Sequence, residues 1–183
     1  RSLALLADLA RALPGQVVVE LRGRPSRAAI PDFDRIVAAA PGLSFHGPYD
    51  RKTDLATLYG AVHFTWAVDF YEDGANSQWL LPNRLYEGGF YGAVPIAVAS
   101  VETGYFLARA QAGVLLDGDT AGALVNYFST LTRSIYAHEA ARLAAIPRAS
   151  WVDDGQDGTR LAELLQSSEG TRAASDRLAL SIG

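Results

Sequence analysis

The sequence predicts an α/β fold, a doubly wound parallel sheet, and three features carry that prediction. Residues 16–21 (QVVVEL) form a dense apolar run of the kind that marks a strand covered on both faces. Segments with helical periodicity alternate with further short apolar runs along the chain. The connections between them are short and rich in Gly, Pro and Asp.

The elements follow in order. Leu3, Leu5, Leu6, Leu9 and Leu13 recur at helical spacing, so the chain opens in a helix that turns at Pro14-Gly15. After the strand over 16–21 come the loop Arg22-Gly23-Arg24-Pro25 and a helix over 32–40 that stops at Pro41-Gly42. Residues 43–45 read as a short strand leading into Gly47-Pro48-Tyr49, residues 54–59 as a helix and 61–68 as a strand. Residues 69–81 lack periodicity, as functional loops often do. Pro82 suits the first turn of a helix that runs to Tyr91 and stops at Gly92. A strand over 94–99, a helix over 102–111 and a strand over 113–116 come next. Asp117-Gly118-Asp119 turns and caps a helix over 120–132, with another over 135–145 and one over 159–166 in an acidic tail. About six parallel strands are expected in one sheet, with 16–21, 61–68 and 94–99 central. Ligands of such sheets bind at the strands' carboxyl ends, across a topological switch point.

Composition narrows the function classes. The chain has 183 residues, about half of them apolar and a fifth charged, an ordinary globular balance. No apolar run nears the roughly 20 residues that span a bilayer. A net charge of −4 does not favour nucleic acid. The absence of cysteine fits a reducing compartment, so a cytoplasmic location is expected, with peripheral membrane attachment open for a longer protein. Methionine is absent too, and the chain opens directly in a helix. Both features lead us to expect that Arg1 is not the natural start, that a strand precedes it, and that the place beside residues 16–21 is vacant or filled by a neighbour.

The most informative stretch is residues 82–97, Pro82-Asn83-Arg84-Leu85-Tyr86-Glu87-Gly88-Gly89-Phe90-Tyr91-Gly92-Ala93-Val94-Pro95-Ile96-Ala97. Physically, a helix N-terminus there would place Asn83 and Arg84 where unpaired N–H groups and partial positive charge favour a pyrophosphate. Glu87, one turn on, would project to the same side as an acceptor. Gly88, Gly89 and Gly92 are poor helix formers, and their smallness would admit a close approach of backbone or ligand. The stretch resembles the donor-site helix of nucleotide-sugar glycosyltransferases with the GT-B fold, in which a polar loop, a Glu-bearing helix, a Gly turn and a Pro-Val/Ile strand succeed one another. The likeness continues more weakly over residues 1–131, through the Phe45-x-Gly47-x-Tyr49 turn and Glu102-Thr103-Gly104.

The resemblance implies a Rossmann-like C-terminal half of a GT-B enzyme. Residues 1–150 would bind a nucleotide-sugar donor and lack the first strand; residues 151–183 would form a helical tail. It implies that Glu87 accepts from the two ribose hydroxyls. The acceptor, a glycan or lipid-linked sugar, would be bound by an N-terminal domain outside this chain, so no catalytic residue is assigned and the isolated piece is expected to be inactive. No cofactor and no metal are called for. Two departures stand out. Trp79 occupies the position, eight before Glu87, where retaining members commonly carry an acid, and the strand that would bear the family's basic pair is missing.

The candidate ligand-contacting residues are Arg22, Gly23, Gly47, Tyr49, Asn83, Arg84 and Glu87. Each has a plainer reading: exposed loop charge for Arg22 and Arg24, core packing for Tyr49, a solvated helix carboxylate for Glu87. If Glu87 holds the ribose from an exposed helix position, alanine at 87 would weaken nucleotide binding and barely alter stability. Asp69, Glu72 and Asp73 form a small acidic cluster that could hold a divalent ion but reads more plainly as a mobile, solvated loop, and His46, His63 and His138 read as polar residues with local partners. Trp66, Trp79 and Tyr86 could line a sugar site, although packing serves equally for Trp66. Competing functions are a non-catalytic nucleotide- or partner-binding module, which Trp79 favours, and a nucleotide-sugar epimerase.

Overall fold

The computed structural model describes residues 1–71, 74–152, 158–160 and 165. The helix expected over 159–166 and the acidic pair Glu72 and Asp73 fall wholly or largely outside them. The chain divides into two compact units, Arg1–Ile146 and Pro147–Gly183. The first is α/β throughout, in the order α1 (Ser2–Ala12), β1 (Val19–Leu21), α2 (Phe33–Ala38), β2 (Leu43–Phe45), α3 (Leu55–Gly60), β3 (Phe64–Trp66), α4 (Asn83–Tyr91), β4 (Val94–Val98), α5 (Glu102–Ala110), β5 (Val114–Leu116), α6 (Thr120–Thr130) and α7 (Arg133–Ala144). In the second unit, residues Arg148–Trp151 form a 3₁₀ turn. Among the described residues no helix is long and apolar enough to cross a membrane.

Among the described residues every strand pairing is parallel, as alternation of strand and helix requires. The strands form two sheets, β1-β2 and β3-β4-β5, where one sheet of about six was expected. β4 is therefore central, whereas β1 and β3 are each paired on one side. β4 (VPIAV) is buried almost throughout, which explains its unbroken apolar sequence.

β1 corrects the expectation of a strand covered on both faces. Val19 and Leu21 pack with Leu3, Leu6, Ala7, Ile36, Val37, Ala40 and Leu43, joining β1 and β2 to α1 and α2. The opposite face carries Glu20, and Val18, just before the strand, is 71% exposed. The valine run thus records one covered face plus the approach to the strand.

Helices cover both faces of β3, and two adjacent residues prove it. Successive strand side chains point to opposite faces. Phe64 meets Tyr127, Phe128 and Tyr136 of α6 and α7 edge-on. Thr65 lies against Gly88 of α4, where a methyl group would overlap Thr65 Cγ2. Gly88 is therefore small for the sake of helix–strand packing, not to admit a ligand. Gly92 ends α4 in the left-handed conformation at φ 87°, satisfying the last carbonyls as a C-terminal glycine does. The Asp119 carboxylate accepts from the N–H groups of Ala121 and Gly122, capping α6 as its sequence indicated.

Candidate functional site

Three parts of the fold meet around Glu87: the loop after β2, helix α4 and the end of α3. The first is the loop after β2. Gly47 adopts φ 77°, opening the chain away from β2, and its carbonyl accepts from the N–H of Gly23 at 2.8 Å. The loops after β1 and β2 are thereby tied together. Arg22 lies 3.7 Å from Glu20, a partly exposed pair, and adds positive potential near Asp54. Asp50 and Asp54 close the loop onto the start of α3, since Asp54 Oδ2 accepts from the Asp50 N–H at 2.8 Å. That hydrogen bond comes first among the causes that hold the Asp54 carboxyl below its ordinary range.

The second segment is α4. Pro82 precedes it in extended conformation, no side chain caps it, and its first turn holds no acid. The first-turn residues Asn83 and Arg84 are exposed. This leaves the positive end of the helix dipole uncompensated by charge, an arrangement that favours an anion. Arg84 Nη2 donates to the Val68 carbonyl at 3.2 Å, which fixes the guanidinium stem at the carboxyl end of β3.

Glu87 is not the solvated helix carboxylate of its plainer reading. Its side chain is only 9% exposed. Oε1 accepts from Arg51 Nε at 2.6 Å, and Oε2 accepts from the Tyr59 hydroxyl at 3.0 Å. Tyr59 is the third part of the site, at the end of α3, and its ring stacks with Tyr91 at 6.3 Å. Burial, followed by the adjacent Glu87 charge, raises the Tyr59 hydroxyl well above the ordinary tyrosine range. Tyr49 and Arg84 also act electrostatically on that hydroxyl, so Tyr49, Tyr59, Arg84 and Glu87 share one neighbourhood.

A carboxylate offers about four acceptor positions. Arg51 and Tyr59 take two of those at Glu87. Arg51 and Tyr59 were not singled out in the sequence. An arginine two residues past Gly47-Pro48-Tyr49 was a weak signal, and for Tyr59 there was none.

Elsewhere the plainer readings describe the contacts. His46 Nε2 is 3.0 Å from Ser44 Oγ, and His63 packs edge-on against Tyr136. Trp66 donates through Nε1 to Ser2 Oγ at 3.1 Å. Trp79 differs: it is 76% exposed on the segment before α4. Thr103 Oγ1 donates to the neighbouring Leu80 carbonyl at 3.1 Å, which anchors that segment to the start of α5.

No model of a known protein family matches the chain. Over 157 residues it is 46% identical to the succinoglycan biosynthesis protein ExoL of Rhizobium meliloti (strain 1021). The match covers 86% of this chain and 39% of that protein, so the chain spans about two fifths of its relative's length. Identity of that order over most of an α/β unit makes this chain a homologue of a succinoglycan biosynthesis protein.

Proposed function

We propose that the chain is the nucleotide-sugar-binding part of a glycosyltransferase acting in polysaccharide biosynthesis. The homology to a succinoglycan biosynthesis protein supports the pathway class. The observation that carries the biochemical reading is Glu87, a nearly buried carboxylate one turn inside α4, the helix that begins at the carboxyl end of β3. On this reading Glu87 accepts from the ribose hydroxyls, and Asn83 and Arg84 at the start of α4 face the diphosphate. Tyr49 lies against the base. The rim formed by Arg22, Gly23 and Gly47 closes the nucleotide end of the site.

The chemistry asked of this half is modest. As the sugar leaves its nucleotide, negative charge grows on the diphosphate, and a fixed helix dipole with an arginine stabilises that charge. The acceptor glycan or lipid-linked sugar is assigned to a further part of a longer protein. A second reading, a binding module without transferase activity, is favoured by one observation. The exposed Trp79 stands where retaining members commonly carry an acid.

Melting-temperature shifts across nucleosides, nucleoside diphosphates and nucleotide sugars test the binding reading, because a ligand of the folded state must raise the midpoint. A rise with at least one nucleoside diphosphate is expected. No rise with any of them at millimolar concentration would overturn it. Transfer assays with the longer protein separate the two readings.

A further inference from the structure

Resting on the nucleotide reading above, we infer that Arg51 is the displaceable occupant of the ribose position. In the free protein its guanidinium stands on Glu87 in place of the sugar, and a nucleotide binds by taking that place. The starting observation is that the Glu87 side chain is only 9% exposed. So covered a carboxylate can receive two hydroxyl groups from solvent only if a neighbour gives way, and Arg51 is the neighbour placed to do so.

The two partners of Glu87 differ in character. Tyr59 belongs to α3, donates to Oε2 at 3.0 Å from a partly buried position, and stacks its ring on that of Tyr91. Moving it would separate two rings and leave a half-buried hydroxyl without its acceptor. Arg51 comes from the solvent side. Its side chain is 62% exposed, and among the described residues its hydrogen bond is the single donation from Nε to Oε1 at 2.6 Å. On leaving Glu87 the guanidinium passes into water, which satisfies its donors and makes the exchange inexpensive.

The backbone around Arg51 is pinned. Asp54 Oδ2 accepts from the Asp50 N–H at 2.8 Å, Asp50 Oδ1 accepts from the Lys52 N–H at 2.7 Å, and the Asp50 carbonyl accepts from the Asp54 N–H at 2.9 Å. The exchange therefore needs side-chain torsions alone, which an exposed residue samples in picoseconds to nanoseconds. Donor count favours the incoming group: Arg51 spends one N–H on Glu87, whereas a ribose brings two O–H donors. Glu87 is also never left as a covered charge without a partner, a state that would be strongly unfavourable. Arg51 thus keeps the site paired when no nucleotide is bound, at a modest loss of affinity.

Calorimetric titration of the wild type and of Arg51→Ala with uridine, cytidine, adenosine and guanosine, and with their diphosphates, tests the exchange. Removing a competitor must tighten binding, so Arg51→Ala should hold the best-bound nucleoside about two- to fivefold more tightly, the strength of an exposed ion pair. A nucleoside carries no charge to be screened, so salt acts on it through the Arg51–Glu87 pair. Wild-type affinity should rise with ionic strength, and that of Arg51→Ala should not. In the wild type the Arg51 Nε–H resonance, identified by its loss in Arg51→Lys, should move to the position of a water-exposed arginine as the nucleoside saturates the chain. Binding by Arg51→Ala alone is the same result in stronger form. Equal or weaker binding in Arg51→Ala, a wild-type affinity indifferent to salt, or an Nε–H resonance unmoved at saturation would overturn the exchange and leave the nucleotide reading standing. No binding of any of these compounds by either chain would overturn both. If Arg51→Ala does not fold, the wild-type salt dependence and resonance decide the matter alone.

Discussion

Arg51 and Glu87 stand 36 positions apart in the chain, yet Arg51 Nε donates to Glu87 Oε1 at 2.6 Å. The pair is asymmetric in its surroundings, since the Arg51 side chain is 62% exposed and that of Glu87 9%. Arg51 thus closes the outer side of a carboxylate whose inner side is held by Tyr59. The loop after β2 and helix α4 are linked through this one acidic group.

The asymmetry predicts unequal costs of truncation. Arg51→Ala removes an exposed partner that water can replace, and should lower stability by less than about 1 kcal/mol. Glu87→Ala deprives the half-buried Tyr59 hydroxyl of its acceptor and should lower stability by about 1–3 kcal/mol. Urea denaturation of the two variants checks the order. An Arg51→Ala loss equal to or above that of Glu87→Ala would contradict the assigned geometry.

Gly88 gives a steric prediction. Alanine there must push against Thr65, on a buried strand beneath α4, so Gly88→Ala should cost about 1–3 kcal/mol by overpacking. Thr65→Ala removes the overlapping methyl group. The double variant should therefore be more stable than the sum of the single losses predicts, a coupling that a double-mutant cycle reads directly. Strict additivity would mean that the helix and strand are not in contact.

Local chemistry was the legible part of the fold. The start of α4 just after Pro82, its stop at Gly92 and the Asp119 cap of α6 follow from single residues whose conformational demands are independent of the rest of the chain. The extent and burial of β1 were not legible, because Val17 and Val18 are as apolar as Val19 and only the packing of α1 and α2 decides which of them belong to the strand. The division of the sheet is likewise a property of pairing, not of composition. Within the site, Asn83, Arg84 and Glu87 could be placed from one helix, but the burial of Glu87 depends on Arg51 and Tyr59, which only tertiary contact brings to it.

Tyr127 supplies a prediction in the opposite direction. Its hydroxyl is buried and makes no hydrogen bond among the described residues, while its ring packs edge-on with Phe64 and Phe128. Tyr127→Phe keeps the ring and removes an unsatisfied polar group, so stability should be unchanged or rise by up to about 1 kcal/mol. Burial, then the Glu139 charge, pushes this hydroxyl up from 10.0 to about 12. A group raised in the folded state contributes stability that is complete below its unfolded value and is lost as pH climbs through the folded one. The wild type should therefore lose stability between pH 10 and about 12 more steeply than Tyr127→Phe, as denaturation midpoints across that range would reveal.

The remaining prediction separates the two halves of the proposed nucleotide site. If Glu87 holds the ribose, its loss must weaken a nucleoside and the corresponding diphosphate alike, because both carry the same two hydroxyls. The expected penalty is about 1–3 kcal/mol, the usual cost of losing a charged hydrogen-bond partner. Glu87→Gln should fall between wild type and alanine, since the amide oxygen still accepts. Arg84 offers charge and no acceptor, so Arg84→Ala should weaken the diphosphate while leaving the nucleoside nearly unaffected, and the difference should shrink as salt rises. Calorimetric titration of the three variants with both ligands measures this, at a temperature where circular dichroism finds each variant folded. That condition matters because Glu87 also bonds Tyr59, and an unfolded fraction would imitate weak binding. Unchanged nucleoside affinity in a folded Glu87→Ala would remove the ribose role from Glu87, and equal losses for both ligands in Arg84→Ala would remove the diphosphate role from the start of α4.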